Sequence, residues 1–145
     1  VTAPGGELGV GGVRGIGVDA VDVARFRQVI ERRPALVHRL FTENEQAYAR
    51  GCADPGPRLA VRFAAKEAVL KALGVGVGAA RFRDVEVVRG DGGQPRLSLS
   101  GRAAALSTRR GVGRWHLSMT HTDTVAVASV VAEGSAHRHD EGSRP

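Results

Sequence analysis

Glu67 lies mid-way along residues 58–73, a run in which Leu59, Phe63, Leu70 and Leu73 recur at helical spacing, and it shares the general face of Phe63 and Leu70. A carboxylate on an apolar side is costly to bury without a partner. Lys71, four residues on, is the simplest partner, and a plain surface pair of that kind stabilises by only ~0.3–0.5 kcal/mol. Arg58, Arg62 and Lys66 crowd the same helix. At ~100° per residue they form no single stripe: Arg62 and Lys66 are neighbours, and Lys71 sides with Glu67. The default reading of such cations is a solvated helix face, and it stays open for Arg58.

Asp19 follows the apolar run 13–18 and precedes a helical pattern, so capping that helix explains it without further chemistry. His121, between Thr120 and Thr122, reads as a polar turn residue. It has no second placed histidine or cysteine to make a zinc site. Ser118 and His121 lack the strained elbow of a hydrolase nucleophile. Gly74, Gly76 and Gly78 follow the long helix rather than precede it. They therefore cap its negative end and cannot form a phosphate-cradling loop at a positive one. A phosphate there depends on side-chain cations such as Lys71.

The elements that must position these groups alternate along the chain. Residues 13–18 predict a strand, and 22–31 a helix with Val23, Phe26, Val29 and Ile30 at helical spacing. Thr42 and Glu45 match a capping box, which starts a second helix running toward Arg50. Residues 51–57 read as a loop, and 58–73 as the longest helix, stopped at Gly74. Val85 and Val87, then Asp91-Gly92-Gly93, then Leu97 and Leu99 predict a hairpin. A short helix over 101–110 precedes a strand carrying Trp115, Leu117 and Met119, a turn at 121–123, and a final strand over 125–131. The fold class is α+β, with a long helix packed on a small antiparallel sheet of three or four strands.

With 145 residues the chain suits one domain, expected over 13–133, between a glycine-rich arm at 1–12 and a polar tail at 134–145 that carries His137 and His139. The 42% hydrophobic content with 4% aromatic residues makes a core of Val, Leu and Ala. Lys and Arg number 21 against 15 Asp and Glu, a formal +6, so the surface attracts something acidic. Cys52 is the lone cysteine, which excludes an internal disulfide and suits a reducing cytoplasm. No apolar run reaches the ~20 residues of a membrane span, and the first twelve residues lack a signal-peptide pattern.

Three blocks together are specific: Gly15-Ile16-Gly17-Val18-Asp19, then Arg62-Phe63-Ala64-Ala65-Lys66-Glu67-Ala68 with Lys71-Ala72-Leu73-Gly74, then Leu117-Ser118-Met119-Thr120-His121-Thr122. In order and spacing they resemble holo-acyl-carrier-protein synthase, the short trimeric type of the 4'-phosphopantetheinyl transferase superfamily, across residues 15–132. The resemblance implies transfer of phosphopantetheine from coenzyme A to a serine of an apo acyl carrier protein, releasing adenosine 3',5'-bisphosphate. It implies that Asp19 and Glu67 hold Mg²⁺, a cation that favours hard oxygen ligands and retained water. Val21 stands where larger relatives carry a third carboxylate, so water takes that position.

The same resemblance makes Asp19, Glu67 and Lys71 the catalytic set. It places Arg62, Lys66, Lys71, Gly74, Thr120 and His121 at the coenzyme, and Arg25 and Arg32 at the acidic carrier protein. It also implies a homotrimer in which one subunit brings Asp19 and Glu67 and the next brings His121. The general base stays open between Glu67 and a metal-bound water. Two other readings compete: a basic nucleic-acid-binding module, which is short of stacking aromatics, and a catalytically silent member of the same fold.

Overall fold

The computed structural model describes residues 11–136. The expectations for the arm before residue 11 and for the tail beyond 136, with His137 and His139, fall outside them. Five strands and five helices follow in the order β1 (Val13–Asp22), α1 (Val23–Arg32), α2 (Ala35–Leu40), α3 (Glu43–Arg50), α4 (Pro55–Ala72), β2 (Val85–Arg89), β3 (Pro95–Leu99), α5 (Gly101–Arg109), β4 (Val112–His121) and β5 (Val125–Gly134). The class is α+β, as the patterning predicts.

The strands form two sheets rather than one. β1, β5 and β4 make an antiparallel sheet with β5 central, and β2 and β3 make a separate hairpin. Register within the larger sheet puts Asp19 beside Ala128 and Ala128 beside Met119, while Val21 and His121 flank Ala126. Because side chains alternate across a strand, Gly15, Gly17, Asp19 and Val21 share one face. Along the middle strand the residues on that face, Ala126, Ala128, Val130 and Ala132, are all buried.

That face is covered by α4, which is buried nearly all round: Leu59, Ala60, Val61, Ala64, Ala65, Ala68, Val69 and Leu70 are all in the core. Small residues let helix and sheet approach closely. A Cβ on Gly15 would collide with the carbonyl oxygen of Ala72, and one on Gly17 with that of Ala68. Two glycines at alternate strand positions thus seat β1 directly against the helix backbone.

Several local boundaries differ from the sequence reading. β1 runs four residues past Val18, so Asp19 is a mid-strand residue and does not cap α1. Asp22 caps it, accepting a hydrogen bond from the Arg25 amide at 2.8 Å. The expected loop at 51–57 is partly helical, because Asp54 accepts from the Gly56 amide and Pro55 opens the first turn, where its missing N–H costs nothing. The short helix α2, with no side-chain cap, was not visible as a pattern. Thr42 and Glu45 do form the predicted capping box. Gly74 has φ +68°, the left-handed conformation expected of a residue ending a helix.

Candidate active site

Asp19 and Lys71 meet where β1 crosses the second half of α4. The Lys71 ammonium lies 3.0 Å from the Asp19 carboxylate and also donates to the Val18 carbonyl at 3.0 Å. Glu67 is one helical turn before Lys71, on the least buried stripe of α4, with Phe63 one turn before it. Burial raises the Glu67 pKa, the Asp19 charge raises it further, and Lys71 pulls the other way. The chain therefore gathers two mutually repelling carboxylates and one ammonium. Partial desolvation makes the second negative charge expensive unless a cation joins it. The donor set, two carboxylates without nitrogen or sulfur, suits a hard divalent ion such as Mg²⁺. Lys71 already sits against Asp19 as a cation would.

Lys66 belongs elsewhere. The family resemblance implies a place for it at the coenzyme, but it is fully buried and its ammonium is saturated by core partners. It donates to Glu45 at 2.7 Å, to the Phe82 carbonyl at 3.0 Å, and to the Val85 carbonyl. Burial lowers the Lys66 pKa and the Glu45 carboxylate opposes this. Glu45 is equally buried; besides Lys66 it accepts from the Thr42 and Val87 amides, at 3.0 Å and 3.1 Å. This pair ties α3, α4 and β2 together. Only its capping half was readable from Thr42 and Glu45, because the approach of α3 to α4 has no local signature.

Arg62, Thr120 and His121 gather on a second surface, a recess of about 200 Å³ also lined by Tyr48, Arg58 and Arg89. None of Asp19, Glu67 and Lys71 is in its wall. Arg62 is 4% exposed; its Nη1 donates to the Arg58 carbonyl at 3.2 Å, and its buried Nε has no partner among the described residues. Its guanidinium lies 4.1 Å from the centre of the Tyr48 ring. Burial lowers the Arg62 pKa, with Tyr48 and Glu45 opposing. His121 ends β4 and is exposed, and the adjoining turn is organised by Thr122, whose hydroxyl accepts from the Thr124 and Val125 amides. Tyr48 and Arg89 were not singled out from the sequence. Arg89 precedes the glycine turn and Tyr48 lies on α3, and no spacing in the sequence joins the two.

Gly74 lies just beyond the first cluster and serves as the helix stop; it does not line the recess. Arg25 and Arg32 are both exposed and stand two turns apart on one side of α1, with Val29, 42% exposed, between them. Arg27 is engaged instead with Asp54, as a bidentate pair joining α1 to the start of α4. Among the described residues nothing covers Ile16 and Val18 on the outward face of the larger sheet, which they share with Val131 and the polar Ser118 and Ser129. Ile16 is 71% exposed and Val18 58% exposed there, in register with Val131 and Ser129.

Residues 15–128 match the profile described as the 4'-phosphopantetheinyl transferase superfamily. A holo-[acyl-carrier-protein] synthase from Frankia casuarinae is 53% identical over 83% of this chain and 98% of its own length. Among solved structures, a holo-(acyl-carrier-protein) synthase from Bacillus anthracis in complex with CoA (3',5'-ADP) is 36% identical, with a TM-score of 0.71 over 85% of this chain and 98% of that one. The Neisseria meningitidis holo-[acyl-carrier-protein] synthase is 32% identical, with a TM-score of 0.76 over 83% and 98%. Profile, sequence and fold agree across nearly all of the described residues, and the chain belongs to the holo-acyl-carrier-protein synthase family of the 4'-phosphopantetheinyl transferase superfamily.

Proposed function

We propose that this protein transfers 4'-phosphopantetheine from coenzyme A to a serine hydroxyl of an apo acyl carrier protein. The serine oxygen attacks the β-phosphorus, the P–O bond to the α-phosphate breaks, and adenosine 3',5'-bisphosphate leaves. The observation that carries this reading is the convergence of Asp19, Glu67 and Lys71 at the β1–α4 contact. Such a reaction depends on positioning and on neutralising phosphate charge, with little covalent work for the protein. Asp19 and Glu67 would hold Mg²⁺, whose charge, when bound, neutralises the pyrophosphate. Lys71 adds a mobile positive charge beside it, and its exposed ammonium can pass from Asp19 to a phosphate oxygen with little desolvation cost.

The recess of Arg62, Thr120 and His121 takes the nucleotide end of coenzyme A. Its separation from the carboxylate cluster within one chain supports a site shared between subunits, one giving Asp19, Glu67 and Lys71 and the next giving the recess. The exposed Ile16 and Val18 face provides the apolar surface for such a homotrimer. Arg25 and Arg32 face an acidic carrier, where rim charges raise association rate and salt sensitivity.

Intact-mass measurement on an apo acyl carrier protein incubated with coenzyme A, Mg²⁺ and this protein tests the activity. A phosphopantetheine mass gain on the carrier is expected, lost with Glu67→Gln and with a chelator. An unmodified serine, under conditions where a known transferase acts, overturns the reading.

A further inference from the structure

Tyr48 is held by cations. The Arg62 guanidinium carbon lies 4.1 Å from its ring centre and that of Arg89 lies 5.0 Å away, and the three residues line the same recess with Arg58 and His121. Neither Arg62 nor Arg89 has a carboxylate within salt-bridge distance among the described residues. Two guanidinium ions that line one recess repel each other, and Glu45, whose charge reaches Arg62, is bonded to Lys66 instead. The negative face of an aromatic ring offsets part of that cost and fixes the plane of each group. Arg62 is almost wholly buried and still reaches the wall of the recess, so its charge is held where an anion in the recess can meet it.

We infer that Tyr48 is a positioning residue which holds Arg62 and Arg89 in place as a paired cation site for a phosphomonoester. The inference rests on the placement of the nucleotide end of coenzyme A in this recess and assigns the discrimination between phosphorylated and unphosphorylated nucleotides there to one ring. Tyr48 touches no reacting atom. It acts through the two arginines, so its loss alters selectivity toward the extra phosphate and leaves the interaction with the rest of the nucleotide in place. The role assigned here belongs to the ring face, and Tyr48→Phe tests it against the phenol oxygen, which also interacts with Arg62.

The test is isothermal titration of adenosine 3',5'-bisphosphate and of adenosine 5'-monophosphate into the wild-type protein, Tyr48→Phe, Tyr48→Leu and Arg89→Gln. The readout is the ratio of the two affinities. Wild type prefers the bisphosphate; Tyr48→Leu lowers that preference about tenfold, equivalent to ~1.4 kcal/mol, as does Arg89→Gln, while Tyr48→Phe keeps it. A merely structural role would weaken both ligands alike and leave the ratio unmoved. A wild-type protein without preference overturns the placement of the nucleotide end, and this inference with it. A wild-type preference that survives Tyr48→Leu overturns the role of Tyr48 alone. Circular dichroism confirms that Tyr48→Leu is folded, and Arg89→Gln, on an exposed strand end, reads the same pair should it not be.

Discussion

Lys66→Met tests the assignment of this lysine to the buried pair with Glu45. The ammonium is fully buried and bonded to Glu45 and two backbone carbonyls, and the methionine side chain fills about the same volume. What the substitution leaves behind is the Glu45 carboxylate, also 0% exposed, with amide donors but no counter-charge. Breaking one side of a buried pair costs about 3–5 kcal/mol, because the surviving charge stays desolvated. At this chain length each kcal/mol moves the midpoint by ~2–4 °C, so Tm should fall by roughly 10 °C at fixed protein concentration.

Glu45→Gln isolates the charge further. A glutamine keeps one acceptor oxygen for the Thr42 amide and removes the negative charge facing Lys66, together with the oxygen that accepts from the Val87 amide. The double variant should then be less destabilised than the sum of the two singles, with a coupling of about 1–3 kcal/mol. Thermal and urea unfolding of the four proteins measure the cycle. A Lys66→Met variant with wild-type Tm but a raised KM for coenzyme A would refute the reasoning and return Lys66 to the nucleotide site.

The raised pKa of Glu67 has a definite sign for stability. Below about 4.5 the residue is protonated in both states; above it the unfolded chain ionises first while the folded protein keeps the proton, so stability declines as pH rises to the raised folded value. In the presence of a chelator, Glu67→Gln should therefore raise Tm near neutral pH and leave it unchanged near pH 4. Equal shifts at both pH values would remove the desolvation argument. Gly17→Ala forces a Cβ against the Ala68 carbonyl and should cost about 1–3 kcal/mol or more. The same change parts Asp19 from Lys71, so Mg²⁺-dependent turnover falls further than stability does; a fully active variant would contradict the close helix–strand contact. Val18→Asp charges the outward sheet face and should lower the mass in light scattering to that of one chain with loss of turnover, whereas an unchanged mass would place the subunit contact elsewhere. Arg25→Glu should slow carrier association at low salt without changing coenzyme A affinity, as measured by stopped-flow at several ionic strengths.

Local signals carried much of the architecture. Thr42 and Glu45 marked the start of α3, Gly74 the end of α4, and Asp91-Gly92-Gly93 the β2–β3 turn, because each is a short-range matter of capping or of a left-handed backbone. The three blocks of residues placed the chain in its family for the same reason, since they are contiguous runs. Asp19 and Asp22 show the limit: both stand at the strand-to-helix passage, and only the pairing of β1 with β5 decides that one is mid-strand and the other the cap.

The amino-acid order by itself determined most of the segments that become helix or strand, α2 and the first turn of α4 excepted, which family they make, and that Glu67 and Lys71 share one helical side. Only the tertiary structure decided the fate of the cations on α4. Lys66 and Lys71 are alike in type and near in sequence, yet one is sealed against Glu45 and the other stands in solvent at Asp19. Helical periodicity tells which residues share a side, but not which side the sheet, the hairpin or α3 will cover. On a helix buried nearly all round, that long-range burial sets the chemistry of every charge.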